Sequence, residues 1–366
     1  MNARGYAGLF IGPNMGGDKN TNYDYLIPLA IALLSILVVA TGGFIRINDA
    51  GESCPDWPKC FGSWSFDISE SEQDAYWEEN PEEADSRGIS HRYSTFEIFT
   101  EWFHRLLVAV VLLPVCIYNV LKVKNSKIEL NPKVHLMSII VFLLLILQAI
   151  AGAITVFFDN ADWSVSVHLT LAMLFISTSI YQYLLWANNV GKLPKSVLLD
   201  KEIIFQIKKL LNLMVLSLFL LLFIGAWLAT SEWGSFASAC SIGWMEGWPL
   251  CQGKFIPDFE INGTKIQMMH RTVALGVGLF LFYGVYKINE LCNEKAPLIS
   301  KLSLVGLSLV VINGLIGGSY VIFADADGFP EYLSLLHLMC GSLSLLCFII
   351  AVLIVNVSED SFLEDE

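Results

Sequence analysis

Charge is what this 366-residue sequence has least of. Only 16% of its residues are Asp, Glu, Lys or Arg, against about 25% in an ordinary globular domain, so a soluble enzyme is excluded before any motif is read. Basic side chains are scarcer than acidic ones, 22 to 35, for a net charge of −13; that balance repels nucleic acid. The apolar runs lack the strict period-two alternation of an outer-membrane barrel strand. The first 25 residues are polar and glycine-rich, so no cleavable signal peptide is expected. Histidine is also scarce, at six residues.

What the chain has instead is apolar length. Hydrophobic residues make up 55% of it, and the mean hydropathy is +0.58. Runs near 27–46, 102–121, 134–158, 163–187, 210–230, 267–288, 302–323 and 332–355 are each long enough to cross about 30 Å of hydrocarbon as a helix. The fold class expected is an all-α membrane protein of eight transmembrane helices. Pro114 lies inside the second run, where local adjustment accommodates it.

Lysines set the orientation. Lys122, Lys124, Lys127 and Lys133 follow the second run, Lys192, Lys195, Lys201, Lys208 and Lys209 the fourth, and Lys287, Lys295 and Lys301 the sixth. The opposite side is acidic, above all over residues 65–90. Both termini are therefore expected in the cytoplasm, and the odd-to-even loops outside. The acidic stretch reads as a solvated insertion, with cation binding or partner docking as the alternative, and the tail from Ser358 to Glu366 reads as disordered.

The chain reads as one unit written twice. A cysteine pair near Trp-Pro opens each unit: Cys54 and Cys60 around Trp57-Pro58, and Cys240 and Cys251 around Trp248-Pro249. His104-Arg105 and His270-Arg271 follow on the second helices. Gln148/Gly152 and Asn313/Gly317 lie on the third, and His168-Leu169 and His337-Leu338 on the fourth. Two four-helix bundles in parallel repeat are expected, residues 27–187 and 210–355. They are joined by a cytoplasmic linker at 188–209 and flanked by cytoplasmic segments 1–26 and 356–366.

His91 and His135 read as surface residues. The other four sit within about two turns of the outer helix ends, about 5–10 Å deep at 1.5 Å per residue. One such histidine reads as an interfacial cap. Four at one depth in a repeated pattern point to function, because ionisable side chains inside spans are costly. Two imidazoles from facing helices suit a bis-histidine haem, whereas zinc wants three or four protein ligands. The units differ in one place: Glu101 stands three residues before His104, and Gln267 three before His270, each on the face of its histidine. A carboxylate can move protons or stabilise developing positive charge, and Glu97 adds a second one turn earlier. Chemistry is therefore expected in the first unit and a structural or electron-relaying cofactor in the second.

Cys116, Cys292, Cys340 and Cys347 lie in or near spans and read as packing residues. The four loop cysteines lie on the oxidising side, so disulfides Cys54–Cys60 and Cys240–Cys251 are expected. The second reads as a staple; the first reads equally as a staple or a redox-exchanging pair.

These residues, taken in order, resemble the haem A synthase family over essentially all eight spans. The most specific segments are Thr41-Gly42-Gly43-Phe44-Ile45-Arg46, Ser53-Cys54-Pro55-Asp56-Trp57-Pro58-Lys59-Cys60-Phe61-Gly62 and Glu101-Trp102-Phe103-His104-Arg105; the 65–90 insertion departs from the family. The resemblance implies an oxidoreductase acting on a CH3 group: the C8 methyl of haem O is hydroxylated twice, and loss of water leaves the formyl group of haem A, destined for terminal oxidases. It places substrate haem O or haem A between His104 and His168 and haem b between His270 and His337, with Glu101 catalytic. Arg105 and Arg271 would face haem propionates or a phospholipid head group. Implied partners are a haem O synthase (protohaem farnesyltransferase), an unidentified electron acceptor and the terminal oxidase assembly machinery; a homo-oligomer stays open. The location implied is the bacterial inner membrane, or the mitochondrial inner membrane in a eukaryote. The rival classes are a quinol-linked di-haem b electron-transfer cytochrome, which leaves Glu101 unexplained, and a transporter, whose unwound mid-membrane helices are not evident.

Overall fold

A computed structural model of the chain describes residues 23–48, 50–83, 87–230, 239–261, 263–324 and 330–364. Among these there is no strand, and eight helical rods are long and apolar enough to cross a membrane. They are α1 (Ile27–Ile47), α3 (Thr95–Leu106) running on into α4 (Leu113–Lys124), α5 (Pro132–Phe157), α6 (Asp162–Asn189), α7 (Lys201–Thr230), α8 (Thr264–Cys292), α9 (Pro297–Ile322) and α10 (Glu331–Glu364). A further helix, α2 (Glu70–Glu79), lies in the segment that joins α1 to α3. Pro132 and Pro297 open their helices, where a missing N–H costs nothing. Between α3 and α4 the rod makes a π-helical turn, Leu107–Leu112. It stands just before Pro114, which has no N–H to give the carbonyl of Val110.

The most enclosed rods are α6 and α10. Helix α6 packs on α1, α5, α7 and α10, and α10 packs on α1, α6, α7 and α9. Lipid supplies no hydrophobic drive between helices, so close approach and buried hydrogen bonds have to hold them. Small residues provide the approach. A Cβ on Gly43 would stand 2.5 Å from Leu338, one on Gly284 2.7 Å from Met214 and one on Gly306 2.6 Å from Phe348. Asn119 and Gln182, both fully buried, exchange two amide hydrogen bonds of 2.9 and 3.1 Å between α4 and α6. Leu143, Leu216 and Leu279 face outward, as lipid permits.

Three expectations are corrected. Helix α7 starts at Lys201, nine residues before the apolar run, because Ile203, Ile204 and Ile207 bury one face while Lys208 and Lys209 interrupt the run. The linker is correspondingly shorter. The acidic tail continues α10 as helix to Glu364. Its Ser358 hydroxyl accepts from the amide of Leu199, Lys133 reaches Asp360 at 2.5 Å, and Lys208 pairs with Glu359. Polarity therefore marked a tether to three other elements rather than disorder.

The acidic insertion is also folded. Ser69 and Glu72 form a capping box that starts α2; the Ser69 hydroxyl and then its amide hold the Glu72 carboxyl below the usual range. Trp77 is buried against Phe61, ring centroids 5.5 Å apart, and Gln73 exchanges two 2.9 Å bonds with the backbone of Tyr93. The helix is thus a lid on the Cys54–Cys60 loop. Trp77→Ala should cost the lid about 3–5 kcal/mol. Hydrogen exchange across 65–83 should accelerate while the spans keep their protection.

Candidate functional site

Both expected disulfides are formed, Cys54–Cys60 and Cys240–Cys251, and Cys116, Cys292, Cys340 and Cys347 are free. Each loop turns in the same way after its second cysteine, through bridges Cys60–Ser63 and Cys251–Lys254.

The four histidines stand near the loop ends of their helices. His168, His270 and His337 each lie six residues after the first residue of α6, α8 and α10. His104 lies nine residues into α3, deeper than expected, because Ser94 and Glu97 cap that helix two turns before the apolar run begins. Every imidazole rests on a glycine of another helix. A Cβ would stand 3.1 Å from His104 Cε1 at Gly42, 3.1 Å from His168 Cε1 at Gly152, 3.2 Å from His270 Cε1 at Gly225 and 2.7 Å from His337 Cε1 at Gly317. This accounts for the glycine of the Gln148/Gly152 and Asn313/Gly317 motif. Gly225 was missed; the signal available was its place as counterpart of Gly42 on the first helix of the second unit.

His270 and His337 face each other with ring centroids 6.4 Å apart at 73°. His104 and His168 lie within electrostatic range of one another. Partners hold two of the rings through Nδ1. Thr41 Oγ1 lies 2.9 Å from the Val38 carbonyl and 3.0 Å from His104 Nδ1, which leaves Nε2 of that ring open. The carbonyl of Asn313 only accepts, so His337 Nδ1 donates to it at 3.0 Å and its Nε2 is open as well. Nδ1 of His168 and of His270 is buried without a partner among the described residues; His168 Nε2 lies 3.3 Å from Gln148 Nε2, which also donates to its carbonyl. Among the described residues no group of three or more His, Cys, Asp or Glu could hold a metal ion. A pair of imidazoles, one of them held through Nδ1, suits a group that takes two imidazole ligands and leaves zinc short of ligands. His91, against Tyr93 in the segment before α3, and His135, in the first turn of α5, stand apart from the four.

Glu101 shares α3 with His104, one turn nearer the loop, and is 5% exposed. Its carboxylate is turned onto the disulfide loop. Oε2 accepts from the amide of Cys54 at 2.9 Å and lies 3.1 Å from the Ser53 hydroxyl, and Oε1 accepts from Arg105 at 2.5 Å. Glu97 does not join it. That carboxylate takes the amide and hydroxyl of Ser94 at 2.8 and 2.7 Å as the capping box of α3. Arg105 also departs from expectation. Its Nη1 donates to the carbonyls of Asp56 and Lys59 at 2.6 and 2.5 Å, and its Nη2 to Cys54 at 2.9 Å and to Glu101. Every Nη hydrogen is spent inside the protein. Arg271 holds the second loop more lightly, through Gly247 and Leu250 carbonyls at 2.9 and 3.0 Å.

The fold and site define a polytopic membrane protein that presents paired imidazoles near the loop ends of their helices, beside two disulfide-closed loops. A family model described as "Cytochrome oxidase assembly protein" matches residues 26–350, and the chain belongs to that family, which is the haem A synthase family. It is similar to the "Heme A synthase" of Geobacillus thermodenitrificans, 22% identical over 84% of this chain and 83% of that protein. It is also similar to that of Pelagibacter ubique, 26% identical over 74% and 79%, and of Exiguobacterium sp., 23% identical over 84% and 85%.

The unequal arginines predict unequal costs. Arg105→Ala strands Glu101 as a buried unpaired carboxylate and should lower stability by about 3–5 kcal/mol. Arg271→Ala, which strands no carboxylate among the described residues, should cost less. Thermal unfolding of the two variants in the same detergent checks the order.

Proposed function

We propose that this protein oxidises the C8 methyl of haem O to the formyl group of haem A by successive hydroxylations. Substrate haem is held by His104 and His168, and haem b by His270 and His337. The observation that carries the reading is the same imidazole-on-glycine arrangement at both pairs, with a carboxylate beside only one of them among the described residues. It also supports a parallel four-helix repeat with both termini on the cytoplasmic side, in keeping with the lysine distribution. When bound, haem b would supply one-electron redox capacity next to the substrate site.

The chain's own residues do the rest. Thr41 and the Asn313 carbonyl hold Nδ1 of His104 and His337, so Nε2 of each would be free to bind iron. The Cys54–Cys60 loop closes the outer end of the first pair, held by Arg105 and covered by α2. In that place the disulfide acts as a staple that keeps Glu101 where it is. Removing hydrogen from a methyl group develops positive charge at the carbon and releases protons, and Glu101 is the side chain on the His104 helix able to stabilise the one and accept the other. Substrate would come from a haem O synthase and product would pass to terminal oxidase assembly, within a bacterial or mitochondrial inner membrane; the electron acceptor is a separate component.

Co-expression with a haem O synthase, followed by chromatography of extracted haems, tests the assignment. Haem A should appear only with an intact first pair. Haem b alone in both sites would make the protein a di-haem cytochrome. His270→Ala or His337→Ala should remove the b-type absorbance and lower thermal stability, since a cofactor bound only to the folded state stabilises it.

Glu101→Gln keeps size and takes away charge, copying Gln267. It should keep haem in both sites and lose about 10²–10⁴-fold in single-turnover rate. Loss of haem in step with turnover would instead make Glu101 a positioning residue of the loop.

A further inference from the structure

The arginine that follows each first histidine is preceded four residues earlier by a different partner, and that difference leaves one site with spare donors. On α3 the partner is Glu101, and the Arg105 guanidinium is closed on it and on three loop carbonyls. On α8 it is Gln267. There Arg271 spends Nη1 on two loop carbonyls, while its Nη2 is buried with no partner among the described residues. Gln267, 2% exposed, has its Nε2 in the same condition. Positions i and i+4 share a helix face, and His270 lies between them in sequence. A buried donor left without an acceptor is costly, and here two such donors occur on one turn. Donors of this kind call for an acceptor that the described residues do not supply. With one of the two a guanidinium, the acceptor that fits is an oxyanion with two lone-pair oxygens, a carboxylate or a phosphate.

We propose that Arg271 Nη2 and Gln267 Nε2 form an oxyanion seat that holds a propionate of the haem in the second site. Arg105, whose seat is filled by Glu101, gives no such grip in the first. The inference rests on the haem assignment above and adds to it a division of labour. In the second site a resident cofactor is held by two imidazoles and by its carboxylate. In the first, Glu101 takes the place of that carboxylate, so a porphyrin that must arrive and leave is not fastened by the arginine.

The test compares haem b with its dimethyl ester, which keeps the ring and iron but removes the propionate charge. Binding to the second site is followed by b-type absorbance in protein stripped of haem and carrying His104→Ala and His168→Ala to silence the first. Unsubstituted at Arg271 and Gln267, the protein should prefer the free acid by about 10- to 100-fold. The preference should vanish in Arg271→Leu, return in part in Arg271→Lys, and shrink in Gln267→Leu, the milder change should Arg271→Leu not fold. A preference unaltered in both Leu variants, or no preference with haem binding intact, overturns the proposal. So does equal binding of acid and ester together with an Arg271-dependent response to added phosphatidylglycerol, which would give the seat to a lipid phosphate. Failure of haem b to bind this site at all would instead defeat the haem assignment itself.

Discussion

The structure turns on one electrostatic joint, the guanidinium of Arg105. It sits one residue after a histidine on a membrane helix, yet its hydrogen bonds run to the backbone of a disulfide loop and to Glu101. The loop thereby becomes a continuation of the helix that carries His104. Water-exposed loops are ordinarily the loosest part of such a bundle. This one is tied by a disulfide, a buried ion pair and the cover of α2, so the mouth of the first histidine pair is among the most constrained places in the protein.

Much of this was legible before any coordinates. Eight spans follow from apolar length, and both disulfides follow from cysteines placed together on one side. The Glu101/Gln267 difference was visible as letters. What could not be read was where those side chains turn. Spacing placed Glu101 on the face of His104, but the amide of Cys54 and the guanidinium of Arg105 draw its carboxylate to the loop, and spacing along one helix says nothing about a loop some fifty residues upstream.

Other differences share a cause: polar side chains that cap or tie helix ends read as solvated or, at Glu97, as part of the chemistry. Ser94-x-x-Glu97 and Ser69-x-x-Glu72 are capping-box patterns, and reading them as such assigns Glu97 to a helix end and gives the acidic insertion a helix. The acidic tail likewise meets Lys133 and Lys208 and the amide of Leu199. In a protein whose hydrophobic faces belong to lipid, polar residues at the ends of spans do much of the fastening.

The π-helical turn at Leu107–Leu112 alters how the two units are to be compared. Each residue rotates an α-helix by about 100°, and a turn closed by i→i+5 bonds holds one residue more than its neighbours. Beyond Leu112 the second span is therefore out of phase with a regular helix such as α8, although both begin with the same His-Arg pair. A gapless alignment of the two would match lipid-facing positions of one with core-facing positions of the other over their inner halves. The phase is restored by opening a single-residue gap within 107–112, and any search for ancestry between the units has to place it there.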